Sequence, residues 1–346
     1  EIGMQEKILD NKRLQYIDIA KGIAMICIIL GHMGNANINR VVFTFHVPIF
    51  FFITGYFISD KCEVNIFVRN KVRTLIIPYL ITCFAIVIIA TLQGAICGDA
   101  IVEIKKWSYA SVYGAGDSYT NPFYIPGIGA IWFLLATFWG SIFLRISLNF
   151  NKYIRLFSIA VIFAIGYYSR KLFWFPLSIQ AGACATLFMY MGNLLNLTKD
   201  ILKEIPNEVK KFGIGFAMVT WYFFIKDFQS FWLVHCDIGR GIVDIFGSMC
   251  ACAMVILISR TIEIKTKKIS NVLAYFGRYS LLILCVHVIE LNLVQWWKIT
   301  DKIIIMGGTE EVRLVVIIIC KLILDLGITY ILSKITFVRR IFGYKN

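Results

Sequence analysis

Apolar runs of about 17 to 25 residues recur along the chain, separated by short polar segments, and a helix of that length crosses the hydrocarbon core of a bilayer. The spacing predicts ten helices, at residues 17–35, 41–59, 75–96, 129–147, 154–169, 177–197, 212–226, 238–259, 272–293 and 313–333. Between them lie clusters of Lys and Arg. Those in alternate segments outnumber the rest about two to one, which puts the segments holding Lys61, Lys203 and Lys267 in the cytoplasm. An even number of crossings then places both termini on that side. The expected fold is an all-α integral membrane protein, a bundle of about ten transmembrane helices. Residues 1–346 read as one polytopic domain of the cell membrane. The first apolar run is expected to remain as a helix, because Asn35-Ala36-Asn37 after it does not resemble a signal-peptide cleavage site.

Composition agrees with this pattern. The sequence is 59% hydrophobic and only 16% charged, against roughly 25% charged in soluble domains. The net charge of +14 does not point to nucleic acid, since the basic residues are dispersed between apolar runs and form no stripe. No Cys-x-x-Cys or zinc-type spacing occurs among the ten cysteines, most of which fall inside apolar segments. Cys97 and Cys236, both near outer loops, are the pair for which a disulfide is open.

Polar residues inside apolar runs are costly and point to function. With the topology above they sort into two layers. The outer layer holds His32, His46, His287, Glu290 and Asp244, with Lys321 and Asp325 farther in. His287 and Glu290, three apart, share a helix face, and Lys321 and Asp325, four apart, are expected to pair with each other. The inner layer is Arg13, Asp18, Lys21, Lys71, Arg73 and Arg278. Asp18 and Lys21 are spaced to pair, and the remaining Arg and Lys suit phosphate. Asp18 and His32 stand about 21 Å apart along one helix, so a partner that orients His32 must come from another element, with His46, His287 and Glu290 at similar depth. Clustered histidines raise the question of a metal, but there is no His-Glu-x-x-His and the histidines fall on different helices, so none is expected. Two outer segments are aromatic, one with Trp107, Tyr109, Tyr113, Tyr119 and Tyr124, the other with Phe228, Phe231, Trp232 and His235. Such rings stack on sugars or anchor at the membrane interface.

The run Asp-Ile-Ala-Lys-Gly-Ile-Ala from Asp18, the Leu-Gly-His ending at His32, and Phe-His-Val-Pro-Ile-Phe-Phe-Phe-Ile-Thr-Gly-Tyr-Phe from Phe45 resemble the opening signature of acyltransferase family 3. Asn70 to Leu80, Ala130 to Leu135 and Gly277 to His287 are similar to its later segments. The resemblance implies an integral-membrane enzyme moving an acetyl group from cytoplasmic acetyl-CoA, as donor substrate, to a hydroxyl of a cell-surface or lipid-linked glycan. The histidine of the Gly-His pair, His32, is then catalytic, as general base for direct transfer or in a relay through an acyl-histidine. The acyl-CoA donor, an extracytoplasmic carbohydrate acceptor and the bilayer are the partners expected; nucleic acid is not, and homo-oligomer formation is open. A different class of reading assigns the same charges to the path of a small-solute transporter, for serine among others, or to the membrane domain of a serine racemase-like protein.

Overall fold

The computed structural model describes residues 14–344, so Arg13 lies outside the described residues. In chain order the helices are α1 (Gln15–Gly31), α2 (Ala36–Val42), α3 (Pro48–Tyr56), α4 (Val64–Lys71), α5 (Ile77–Cys97), α6 (Ala100–Tyr113), α7 (Trp132–Ser147), α8 (Lys152–Ser169), α9 (Ile179–Glu204), α10 (Asn207–Lys226), α11 (Ile242–Lys265), α12 (Lys267–Arg278), α13 (Ser280–Leu293), α14 (Trp296–Ile299), α15 (Asp301–Ile305), α16 (Glu310–Lys334) and α17 (Thr336–Ile341). The described residues form no strand beyond one isolated bridge between Tyr119 and Ile125.

Every apolar run has a helical counterpart, but two are broken. The run at 41–59 divides into α2 and α3, with Pro48 at the first turn of α3, where a missing N–H costs nothing. That at 272–293 divides at Tyr279 into α12 and α13, which meet at a 68° bend. By contrast α4 and α5 run on as one span through a π-helical turn at Val72–Ile76. This turn directly precedes Pro78, whose ring and missing N–H disturb the regular hydrogen-bond ladder. Among the described residues, Val64–Cys97, Ile242–Lys265 and Glu310–Lys334 are long and apolar enough to cross a membrane, and the bent pair α12–α13 makes a fourth as one broken span. Their outer faces carry large exposed side chains such as Phe84, Leu92, Ile96 and Ile323. Lipid is the solvent that stabilises such a surface. This is a membrane protein.

Close helix crossings are built on glycine. A Cβ on Gly277 of α12 would lie 1.7 Å from the Asp18 carbonyl oxygen of α1, and one on Gly22 would lie 2.1 Å from that of Leu273. Gly55 of α3 and Gly192 of α9 make a second such crossing, each 1.9 Å from an opposing carbonyl oxygen by the same measure. Without a strong hydrophobic drive between helices in lipid, this close backbone approach supplies dispersion contact. α1 is the hub, packed by α11, α12, α13 and α16. One apolar core surrounds it, with Ile28, Ile49 and Ile283 inside. Another joins α7 to α9 around Phe51, Phe188 and Leu144. Cys97 is exposed, Cys236 is buried, and both are free thiols, so the disulfide left open by the sequence does not form.

Candidate active site

At the C-terminal end of α1, Gly31 admits the Phe43 ring, 2.8 Å from where its Cβ would stand, and His32 follows as the cap residue. The His32 Nδ1–H donates to the Ile28 carbonyl at 2.8 Å. A carbonyl can only accept, so the proton is on Nδ1 and the lone pair on Nε2. His46 repeats the arrangement, donating from Nδ1 to the Val42 carbonyl at 2.7 Å while its ring stacks on Phe43. Both imidazoles line a cavity of about 400 Å³ that Trp132, Phe133, Trp232, His235 and Asp117 also line. His32 is the more open of the two, and no hydrogen bond joins them.

The partner of His32 is His287 on α13. His287 Nε2 lies 3.4 Å from His32 Nδ1, with the rings edge to face at 5.2 Å. It shares the Nδ1 proton with the Ile28 carbonyl, so Nε2 of His287 is an acceptor and its own proton is on Nδ1. That Nδ1–H donates to Asp325 Oδ2 at 2.9 Å, and Glu290 Oε2 stands 3.0 Å away. Asp325, Glu290 and His287 are buried. Behind them, Lys321 Nζ pairs with Glu290 Oε1 at 2.9 Å, and the Trp296 indole N–H donates to the same oxygen. One ammonium against two carboxylates leaves a net negative charge beside His287. This charge favours any cation formed on His32.

These contacts correct one expectation. Lys321 and Asp325 do not pair with each other: Lys321 turns to Glu290 and Asp325 to His287, because α13 packs against α16 and brings stronger partners than the helix itself offers. Asp244 is no part of the cavity; it bonds the backbone N–H of Arg240 at 2.8 Å and pairs with its guanidinium at the start of α11. The ligand atoms of His287, Glu290 and Asp325 lie within 4.8 Å of one another, close enough to hold a metal ion. Lys321 Nζ already occupies Glu290 Oε1, and His287 Nδ1 carries the proton shared with Asp325, so these ligand atoms are engaged with one another. The geometry is a chain of contacts from His32 through His287 to Asp325 and Glu290, with Lys321 behind. The sequence placed Lys321 and Asp325 at this depth but read them as a self-contained pair; their contacts with Glu290 and His287 are what it did not reveal.

At the other end of α1, Asp18 is buried and pairs with Lys21 at 3.1 Å, as their spacing predicts. Asp18 and Arg278 line a second cavity of about 350 Å³ with Gln15, Asn271 and Tyr275. Gln15 also donates to Ser270 at 2.8 Å, tying α1 to α12. Lys71 and Arg73 are elsewhere, on α4 and its π turn, and line neither cavity; Lys71 Nζ sits 5.3 Å from the centre of the Phe67 ring.

The outer loops close the large cavity. Asp117 Oδ2 accepts from His235 Nε2 at 3.1 Å and its Oδ1 from the Ser118 N–H at 2.7 Å. The His235 hydrogen bond, more than any other influence, holds the Asp117 carboxyl below the usual carboxylate range, so it is anionic at neutral pH. Tyr119 OH meets His235 Nδ1 at 3.0 Å.

A cavity fed by an uncommitted imidazole nitrogen, with a buried His-Asp pair behind it, suits proton abstraction and acyl transfer. No match is found among curated proteins or among solved structures. The acyltransferase domain model of family 3 matches residues 14–333, and with nearly the whole chain covered the protein belongs to acyltransferase family 3.

Proposed function

We propose that the protein is a multi-pass O-acyltransferase of the cell membrane, with ten crossings and both termini in the cytoplasm. It moves an acetyl group from cytoplasmic acetyl-CoA to a hydroxyl of a cell-surface or lipid-linked glycan. The observation that carries this reading is the His32 imidazole, whose Nε2 faces the cavity uncommitted while its Nδ1–H points at His287.

His32 Nε2 takes the proton of the acceptor hydroxyl as its oxygen attacks the thioester carbonyl. The imidazolium so formed donates more strongly from Nδ1 to His287 Nε2, and Asp325 and Glu290 stabilise the charge through His287. When the tetrahedral centre collapses, the carbon–sulfur bond breaks and the departing thiolate takes the proton back. The products are the ester and the free thiol. His287, Asp325, Glu290 and Lys321 are thus positioning residues. Asn39 is the only side-chain amide among the described residues lining the cavity, and its Nδ2–H supplies the neutral donor for the oxyanion. His46, with a second uncommitted Nε2, binds the acceptor.

The donor's phosphates bind at the opposite face. Arg278, exposed on the wall of the inner cavity, presents a fork suited to phosphate, and Lys21 neutralises the buried Asp18 carboxylate beside it, so that carboxylate does not repel the phosphates. Lys71 and Arg73 attract the donor electrostatically at the same face. About 21 Å of helix separates Asp18 from His32, a distance that the donor has to span between its phosphates and its thioester.

The test is transfer of labelled acetyl groups from acetyl-CoA into the glycan fraction of membranes containing the protein. His32→Ala is expected to lower turnover by roughly 10²- to 10⁴-fold with donor binding intact. A folded His32→Ala protein that transfers at near wild-type rate would overturn the base assignment, and labelled membranes with no acetylated glycan would overturn the acceptor.

A further inference from the structure

The large cavity has two ends. His32 and His46 occupy one, Asp117 and His235 the other, and a run of ring contacts joins them. Phe43 stacks on His46 at 4.8 Å, Trp232 packs edge to face on Phe43 at 5.8 Å, and His235 lies against Trp232 at 5.6 Å with planes 29° apart. Nothing in the relay at His32 uses the far end. Yet it is held in place with some care. His235 has both ring nitrogens engaged, by Asp117 and Tyr119, and Tyr119 itself stacks on Trp174 at 4.8 Å. The residue after His235, Cys236, adopts a left-handed φ of 53°, a conformation that costs a non-glycine residue about 1 kcal/mol or more. Arg170 pins it by donating to the Cys236 carbonyl at 2.9 Å. Gly116 is required beside Asp117, because a Cβ there would stand 2.3 Å from Val234 and 2.5 Å from the Trp132 ring.

Among the described residues, Asp117 is the only one lining the cavity with a permanent formal charge, since no Lys, Arg or Glu of theirs contributes to the wall. Its carboxylate accepts one bond on each oxygen, and a carboxylate has capacity for about four. The side chain is 55% exposed, so the spare lone pairs are accessible. An anion entering this space meets like charge in a wall of low polarity with no cation to offset it.

We propose that Asp117, held by His235, is the acceptor-binding subsite, and that it selects an uncharged sugar and excludes acidic ones such as uronic acids. Two neighbouring hydroxyls of a pyranose donate to Asp117, while the C–H face of the ring, weakly positive, lies on the negative face of Trp232. The hydroxyl to be acylated then points toward His32. This inference rests on the acyltransferase reading for the direction of transfer but not for the binding itself.

Binding is therefore measured apart from turnover, by calorimetry on the purified protein with methyl hexopyranosides and the matching methyl hexopyranosiduronates. The uncharged glycosides are expected to bind, and the uronates to bind at least about tenfold more weakly. Asp117→Asn should narrow that difference by weakening the uncharged ligand and admitting the acid. Asp117→Ala should weaken the uncharged ligand at least about tenfold, the loss of one charge-assisted hydrogen bond. His32→Ala removes the base and its contact with the hydroxyl but leaves Asp117 in place, so the preference for glycoside over uronate should persist in that variant, which separates the subsite from the chemistry. Equal binding of glycoside and uronate, no binding of either, or unaltered affinity in a folded Asp117→Ala protein would overturn the proposal.

Discussion

Asp325→Asn isolates the charge at the back of the relay. Asparagine has nearly the shape of aspartate, and its Oδ1 accepts the His287 Nδ1–H as the carboxylate does, so the tautomer of His287 and the lone pair on His32 Nε2 are both preserved. Only the negative charge is lost. From Asp325 through the His287 ring to the His32 ring is roughly 8 Å, built from the 2.9 Å and 3.4 Å contacts and the width of one imidazole. At an effective dielectric of about 20, unit charges so spaced interact by about 2 kcal/mol. The imidazolium at His32 exists only as the hydroxyl is attacked, so this energy belongs to the transition state, and its loss lowers kcat roughly thirtyfold. The assay is initial-rate acetyl transfer from acetyl-CoA by purified variant and wild type, with KM measured for both substrates. Both KM values should stay within about twofold, because neither substrate touches Asp325. Asp325→Ala, which also frees the His287 ring to rotate, should be slower still. A folded Asp325→Asn enzyme within about threefold of wild-type kcat would refute the relay and reduce His287 and Asp325 to buried structural polar groups.

Two other substitutions separate the remaining parts. Arg278→Gln should raise the KM for acetyl-CoA several-fold and leave kcat in place, since it removes ground-state binding at the inner cavity and nothing near His32; unchanged donor affinity would place the phosphates elsewhere. Gly277→Ala forces a methyl group to within 1.7 Å of the Asp18 carbonyl oxygen, which only helix separation can relieve. It should cost about 1–3 kcal/mol, seen as a lower melting temperature in detergent, and an unchanged melting temperature would show that the α1–α12 crossing is loose.

The helices were legible in the sequence because a span in lipid needs a continuous apolar run, and each expected run does contain a helix. Their breaks were less so. Pro48 marks the start of α3, but the 68° bend at Tyr279 has no proline or glycine at the break itself to mark it in the sequence. The same distinction governs the site. His32 stood out for its depth and its Gly-His setting, and Asp18 with Lys21 for their spacing, since both signals are local to one helix. Lys321 and Asp325 misled for the same reason: four residues apart, they look self-sufficient. In the fold each meets a partner on α13, and the pairing follows from which helix packs beside α16, a fact that no spacing within one helix encodes.

Location also explains why the two ends of α1 carry different chemistry. At Asp18 a buried carboxylate is neutralised within its own helix by Lys21, so the neighbouring Arg278 keeps its positive charge for an anionic ligand. At His32 the sign is reversed. Asp325 and Glu290 exceed Lys321 by one negative charge, and that excess faces an imidazole able to become cationic, while Asp117 adds negative charge to the open cavity. On the proposed reading, a polyanionic donor is favoured at the first site and repelled from the second. Only its uncharged thioester end is compatible with the space beside His32, which is also where an uncharged hydroxyl is able to enter. Under that reading, the charge distribution along one helix sorts the two proposed substrates by polarity before any contact specific to either is made.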